Sequence, residues 1–163
     1  QLQQLDLGVI SRQQPYNGVK TLYQTTLPYV CLVPEEHALA SSQIEVNLND
    51  LAQTETFISF GGIFPEQIVG LDAATIDYLK QRSRLSAANM PMAAALAKET
   101  GALAIVDVLS AGVAVGTGGV TSLPLVQNLE YHLAVVTHHA GTLSHHGQEL
   151  AGIIAKRFDR IRP

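Results

Sequence analysis

The feature that most constrains this chain is a regular alternation of short apolar runs and helical stretches in its middle. Strands are predicted at Thr56–Phe60, Arg84–Ala88 and Leu103–Val106, and helices are predicted at Ala73–Arg82 and Met92–Thr100. Strands that alternate with helices form βαβ units, and these produce a parallel sheet with right-handed crossovers. The sequence therefore predicts an α/β fold.

The ends of these segments carry capping signals. Asn89 is a predicted N-cap with Pro91 in the first turn, Gly101 suits a left-handed helix stop, and Asp107 can cap a short helix ending near Gly112.

Glu35 to Ser42 is predicted to be a loop, and the first long helix could begin as early as Pro65. The remaining predicted elements are strands around Leu5–Ile10, Leu22–Val33, Val120–Leu123 and Tyr131–Thr137, and a helix over Thr142–Arg162. Pro28 inside its strand favours an edge position or a bend.

The composition excludes several classes of protein. The chain has 163 residues, of which 47% are hydrophobic and 15% charged, which suits one globular domain or two small lobes. Its formal net charge of −4 does not favour a phosphate-binding surface. The one basic cluster, from Lys156 to Arg162, lies in the last turns of the predicted C-terminal helix, where the helix dipole favours cations. We therefore expect that this chain does not bind DNA by itself.

Cys31 is the single cysteine, so no intrachain disulfide can form, which is consistent with a reducing cytoplasm. Its apolar neighbours predict a buried strand thiol, and the alternative is a reactive thiol. Neither a signal peptide nor an apolar run of membrane-spanning length is present, so a cytoplasmic protein without a membrane partner is expected. Because the chain begins at Gln1 directly before a strand, we expect it to be an excerpt of a longer protein.

The carboxyl ends of the predicted parallel strands are where a ligand is expected. Three loops meet there, at residues 59–62, 88–90 and 106–108, and two of them begin helices, whose free N–H groups and positive dipole ends suit a carboxylate. The two glycines of the first loop permit close approach of a ligand. Asp107 adds a negative charge that suits an amine, so a small zwitterion such as an amino acid would satisfy both. The alternative is that Asp107 only caps its helix.

Other chemistries find no support in the sequence. The pairs His138–His139 and His145–His146 have no cysteine or clustered carboxylate to complete a metal site, so surface histidines and no metal are predicted. The glycine-rich run 112–119 lacks the GKS/T sequence of a phosphate-binding loop. No GxSxG motif and no Cys/His pair suggests a nucleophile. We therefore predict no catalytic residue, no cofactor and no enzyme activity.

Four segments carry a resemblance to a known family. Residues 5–10 are similar to a strand "D-x-G-I", and residues 29–40 to "lvlvlPxxHPLA", with Ala38 in place of the second proline. Residues 48–58 are similar to "L-x-D-L-A…p-f-I". Residues 99–107 are similar to "v-a-a-G-x-G-i-a-l-l-P", without its second glycine and with Asp107 in place of the proline. In this order and spacing, the segments resemble the effector-binding domain of LysR-type transcriptional regulators over nearly the whole chain.

The resemblance implies a periplasmic-binding-protein-like fold of two lobes. It assigns residues 1–25 to a remnant of lobe 1 with the hinge strand, 26–136 to a complete lobe 2, and 137–163 to the hinge return and C-terminal helix of lobe 1. It also implies a small-molecule effector, a homodimer or homotetramer, and DNA binding only through an N-terminal helix-turn-helix that this sequence does not contain. The stretch Val106–Ala111 resembles "V-D-P-x-[ST]-A" of the branch that senses opines and basic amino acids.

The predicted effector site combines both arguments. By resemblance, family effectors touch the loops that match Ser59–Gly61 and the strand end near Ser11, while Asp107 rests on the charge argument. The predicted site residues are Ser11, Ser59, Phe60, Gly61, Asn89, Met90 and Asp107. Phe60 and Met90 are expected to cover an apolar side chain of the effector. The alternative functions are a periplasmic-type solute-binding protein for a small amino acid and an enzyme on the same scaffold.

Overall fold

A computed structural model of the chain describes residues 6–11, 18–42, 44–60, 70–138 and 143–160. The strands of these residues are β1 (Gly8–Ser11), β2 (Val19–Pro34), β3 (Phe57–Phe60), β4 (Ser83–Ala87), β5 (Leu103–Asp107), β6 (Val120–Pro124) and β7 (Glu130–His138). The helices are α1 (Leu48–Thr54), α2 (Ala73–Arg82), α3 (Met90–Thr100), α4 (Val108–Gly116) and α5 (His145–Asp159), with a 3₁₀ turn at Ala38–Ser41.

The chain divides into two compact units. Unit 1 combines Gln1–Leu27 with Tyr131–Pro163, and unit 2 is the continuous stretch Pro28–Glu130. The division therefore falls inside two strands, directly before Pro28 in β2 and directly after Glu130 in β7. Pro28 has no N–H to give to a ladder, and the pairing of β2 with β5 begins at the next residue, Tyr29. The assignment of residues 26–136 to one lobe of a larger two-lobe domain stays a prediction.

The sheet of unit 2 has the strand order β6-β2-β5-β3-β4. Strand β3 runs parallel to both β4 and β5, whereas β2 is antiparallel to β5 and to β6. Helix α3 connects β4 to β5 and so crosses β3, as expected of a βαβ unit. The predicted α/β fold is confirmed, with one antiparallel strand inserted beside the parallel core.

The core of unit 2 consists of small and branched apolar side chains. Every residue of β5 is buried, and α3 turns a face of alanines toward β3 and β5. The alanines of that face are Ala93, Ala94 and Ala97. Because alanine is small, the helix can approach the sheet closely without leaving voids. Gly101 ends this helix in the predicted left-handed conformation, with a φ of 75°.

Unit 1 anchors its C-terminal helix α5 at both ends. At the start, the Ser144 hydroxyl accepts the Gly147 N–H at 3.1 Å and donates to Asp6 Oδ2 at 2.6 Å. At the end, the Tyr23 ring stacks on Phe158 and its hydroxyl donates to Asp159 Oδ1 at 2.5 Å. Strand β1 pairs antiparallel with β7 from Gly8↔Val136 to Ser11↔Leu133.

Several predicted boundaries differ from the structure. Helix α4 continues to Gly116 instead of ending near Gly112, because Gly112 has space around it and no positive φ that would stop a helix. Helix α5 begins at His145, where Ser144 provides the cap, and not at the predicted Thr142. The loop Glu35–Ser42 contains a 3₁₀ turn. Helix α2 begins at Ala73 with Asp72 as its cap, so it does not run back continuously to Pro65, and residues 61–69 themselves lie outside the described residues. None of the helices in the described ranges has the length and apolar character needed to span a membrane.

Candidate functional site

The carboxyl ends of β3, β4 and β5 lie at one edge of the unit 2 sheet, because these three strands are parallel. Phe60 and Ala87 are register partners at the ends of β3 and β4, and Asp107 ends β5. Helices α3 and α4 both begin at this edge, at Met90 and Val108. We call the stretch formed by Phe60, Ala87–Met90 and Asp107 the carboxyl edge. The backbone thus brings the three predicted loops together at their starting points.

Asn89 is the cap of α3, as predicted. Its side-chain Oδ1 accepts the N–H of Met92 at 2.9 Å, and Pro91 occupies the first turn, where its missing N–H leaves no bond unmade. The residue is exposed, and among the described residues its amide nitrogen has no partner. Asn89 therefore leaves one donor group open at the carboxyl edge.

Asp107 is buried, with 3% of its surface exposed, and its carboxylate is occupied by the cap of α4. Oδ1 accepts the N–H groups of Leu109 at 2.9 Å and Ser110 at 3.1 Å, and Oδ2 accepts the Ser110 hydroxyl at 2.6 Å. The predicted capping role of Asp107 is confirmed. Sequence reasoning missed Ser110, whose position three residues after a capping aspartate is the signal that could have found it.

Met90 is buried at the carboxyl edge, with 6% of its surface exposed. Its thioether Sδ accepts a hydrogen bond from the Asp107 backbone N–H, with an N···S distance of 3.3 Å. Met90 and Asp107 were predicted as separate members of an effector site. The structure shows that they also contact one another.

The other predicted site residues are placed less fully. Ser59 and Phe60 are the last two residues of β3, and Gly61 lies outside the described residues. Ser11 is the exposed last residue of β1 and belongs to unit 1. The backbone thus gathers Ser59, Phe60, Asn89, Met90 and Asp107 at one edge of unit 2. That Ser11 reaches them stays a prediction.

Two histidines pair with nearby glutamates. His37 contacts Glu55 through Nε2 at 3.2 Å, and its Nδ1 accepts the Leu39 N–H at 3.2 Å, so the ring caps the 3₁₀ turn. His145 lies 3.7 Å from Glu149 on the surface of α5. Across the described ranges, no group of three or more histidine, cysteine, aspartate or glutamate residues is arranged to hold a metal ion.

Helix α4 presents an apolar surface beside α3. A groove of about 430 Å³ lies between the two helices, and Ala94, Val113 and Ala114 are among its lining residues. Helix α4 contains no charged residue, and Val113 and Val115 are 71% and 40% exposed. Val113 lines the groove together with Leu109 and Ala114, and we call these three residues the α4 apolar face. Surfaces of this kind commonly mark contacts with another molecule.

Comparison with known proteins gives a consistent family. A profile of the LysR substrate binding domain matches residues 1–159. No curated protein sequence matches the chain.

Among solved structures, the Synechocystis PCC6803 CcmR regulatory domain in complex with 2-PG superimposes with a TM-score of 0.69 at 14% identity, covering 98% of this chain and 76% of that one. The effector-binding domain of QuiR in complex with shikimate has a TM-score of 0.65 at 14% identity, covering 97% and 74%. HinK, a LysR family regulator from Pseudomonas aeruginosa, has a TM-score of 0.65 at 13% identity, covering 94% of this chain and 53% of HinK. The chain thus spans about three quarters of the isolated domains and about half of longer regulators.

Proposed function

Because the chain belongs to the LysR substrate-binding domain family, we propose that it senses a small carboxylate-containing, amino-acid-like effector at the carboxyl edge and thereby switches transcription in a LysR-type regulator. The observation that carries this proposal is the shared edge of β3, β4 and β5, at which both α3 and α4 begin. The family is one of regulatory, effector-binding domains and not of enzymes.

The two helix starts support a negatively charged ligand. The first N–H groups of a helix have no partner within the helix, and the aligned peptide dipoles place partial positive charge there. Helix α3 has 11 residues and the uncharged cap Asn89, so it contributes a developed dipole, whereas Asp107 already places a negative charge at the start of α4. Among the described residues the Asn89 amide nitrogen has no partner, so it adds a donor group at the same edge. Two neighbouring structures were solved in complex with a small molecule, 2-PG for CcmR and shikimate for QuiR.

Asp107 decides between an amino acid and a simple carboxylate. Its carboxylate would supply the negative charge that an amine needs, although three hydrogen bonds already engage it in the α4 cap. We propose that the effector amine approaches this carboxylate. The resemblance of residues 106–111 to the branch that senses opines and basic amino acids supports the same ligand class.

Calorimetric titration of the intact regulator tests the proposal. We use L-arginine and L-lysine as amino-acid probes, with shikimate and 2-PG as carboxylate and anion probes that lack an amine. Binding of an amino acid and not of the other two is expected. Binding of none of the four would contradict an anionic effector at this edge.

The Asp107→Asn variant tests the charge directly. The variant keeps a side-chain oxygen for the α4 cap, so its melting temperature should stay near that of the parent. Its affinity for the amino acid should fall by about 1.5–3 kcal/mol, the scale of a hydrogen bond to a charged group. The exposed Asp77→Asn on α2 is the matched control and should change neither quantity. Unchanged affinity with a lowered melting temperature would make Asp107 a helix cap alone.

We further propose that the regulator acts as a homodimer or homotetramer in the cytoplasm, and that it contacts DNA only through an N-terminal helix-turn-helix domain. The α4 apolar face supports self-association, because the exposed Val113 on a helix without charges gains by being covered. Footprinting of the intact regulator on its promoter, with and without the amino acid, tests the switch. An unchanged footprint would contradict it.

A further inference from the structure

Strand β5 continues beyond the end of its pairing with β3. The Leu103 N–H donates to the Thr56 carbonyl at 2.9 Å, so the N–H groups of alternate β5 residues, including Asp107, point toward β3. The pairing of β3 with β5 ends at Ile58↔Ala104. The Asp107 N–H therefore lies beyond the last β3–β5 pair. Because Asp107 is only 3% exposed, this N–H is also largely shielded from water.

The partner of this N–H comes from a different element. Met90 is the first residue of α3, which crosses β3 on its way from β4 to β5, and its Sδ lies 3.3 Å from the Asp107 nitrogen. A thioether is a weak acceptor. A weak hydrogen bond to it is nevertheless more favourable than leaving a buried N–H with no acceptor, which costs the free energy of desolvating that group. The sulfur thus takes the place of the carbonyl that a longer β3 ladder would supply.

We propose that Met90 is a positioning residue that ties the first turn of α3 to the turn between β5 and α4. One end of this tie is fixed by Asn89, which caps α3, and the other by Asp107, whose side chain caps α4. The sulfur bond therefore sets the distance between two helix starts. The tie rests on geometry alone, and its effect on effector affinity rests on the proposed function.

The chain offers a clean test because it contains only two methionines, and the other, Met92, is 48% exposed. In a Met92→Leu variant of this chain, residue 90 is produced as methionine, selenomethionine or norleucine. Norleucine replaces the sulfur by a methylene of similar shape, whereas selenomethionine keeps an acceptor. Hydrogen exchange is then measured at the Asp107 amide, with the Leu103 amide as the internal control.

The norleucine form should exchange the Asp107 amide about 2- to 10-fold faster, which corresponds to the loss of one hydrogen bond. The selenomethionine form should match methionine, and the Leu103 amide should not change in either. Equal exchange of the Asp107 amide in the norleucine and methionine forms would overturn the tie. Equal acceleration of the Leu103 amide would also overturn it, since the effect would then be general loosening.

The same three proteins are titrated with L-arginine. Weaker binding by the norleucine form, restored by selenomethionine, is expected if the tie positions the carboxyl edge. Unchanged L-arginine affinity despite faster Asp107 exchange would overturn the positioning role. If Asp107 exchange responds and no form binds L-arginine, the tie is supported and the failure belongs to the proposed effector.

Discussion

Cys31 lies in β2 with none of its surface exposed. Burial raises its pKa from 9.0 to about 12, and the charge of Glu55 acts in the same direction. Thiolate, not thiol, is the reactive form of cysteine, so this side chain is inert at neutral pH. The predicted buried strand thiol is confirmed, and the alternative of a reactive thiol is not supported.

The raised pKa of Cys31 makes stability depend on alkaline pH. The folded state holds the thiol proton more tightly than the unfolded state, so this contribution is complete below pH 9 and is lost as the pH rises toward 12. In that window the free energy of unfolding should fall by about 1.4 kcal/mol per pH unit relative to Cys31→Val, which has no thiol. Urea unfolding of both proteins from about pH 8 to 10.5, a range that spans the usual thiol pKa, measures the difference. Parallel pH profiles would contradict it.

At the scale of elements, a polar network joins the starts of α1 and α2. Gln127, in the loop after β6, accepts the Leu48 N–H at 3.0 Å and donates to Asn47 Oδ1 at 2.6 Å.

Asn49 contacts the buried Thr75, whose hydroxyl also contacts the capping Asp72 at 2.8 Å. Because a carboxylate can only accept and Thr75 has one hydroxyl proton, we infer that Asn49 turns its NH₂ toward Thr75. The bonds from Thr75 lower the pKa of Asp72.

Replacing Gln127 by methionine tests how much this network contributes. The variant keeps the length of the side chain but removes both of its bonds to the start of α1, so the free energy of unfolding should fall by about 1–2 kcal/mol. Gln53→Met, on the exposed side of α1, is the control, since Gln53 makes one exposed bond to Asn49. Urea denaturation measures both. A loss no larger than that of the control would show that water replaces the Gln127 bonds.

The end of α5 provides a second test at this scale. Tyr23→Phe keeps the stack on Phe158 but removes the bond to Asp159, so the free energy of unfolding should fall by about 0.5–1.5 kcal/mol. Tyr78→Phe, on the exposed surface of α2, should have no measurable effect. Thermal unfolding compares the two variants. Equal melting temperatures would indicate that the Asp159 bond is fully compensated by solvent.

At the scale of the whole molecule, the α4 apolar face predicts self-association. Val113→Lys places a charge at the centre of this face and should raise the dissociation constant of the oligomer at least about tenfold, the effect of roughly 1.4 kcal/mol. Val126→Lys is the control, because Val126 is 56% exposed and lies outside α4. Sedimentation velocity of the intact regulator measures both. A monomer in the parent protein would contradict the proposed assembly.

The sequence was informative where the signal is local. Asn89 with Pro91 and the left-handed Gly101 mark α3 correctly, because caps and stops depend on residues within one turn. The prediction that α4 ends near Gly112 was wrong. A glycine ends a helix only where its backbone adopts a positive φ, and this depends on the packing of the neighbouring residues. The Met90–Asp107 contact could not be predicted, because it requires the register of β3 against β5 and the path of α3 across them. Site residues that converge through tertiary structure are the ones that a single sequence leaves open.

Unit 2 is continuous in sequence, whereas unit 1 is formed by the segments before and after it. This order along the chain has a consequence for biosynthesis. All the strands and helices of unit 2 are complete when the ribosome has translated Glu130, whereas β1 finds its partner β7 only afterwards. We expect the inner unit to fold first on the nascent chain, because its contacts are closer in sequence. Strand β1 must then wait for β7, its partner, to be synthesised. A translation product that stalls before β7 would therefore leave β1 without this partner and accessible to chaperones and proteases, while unit 2 was already folded.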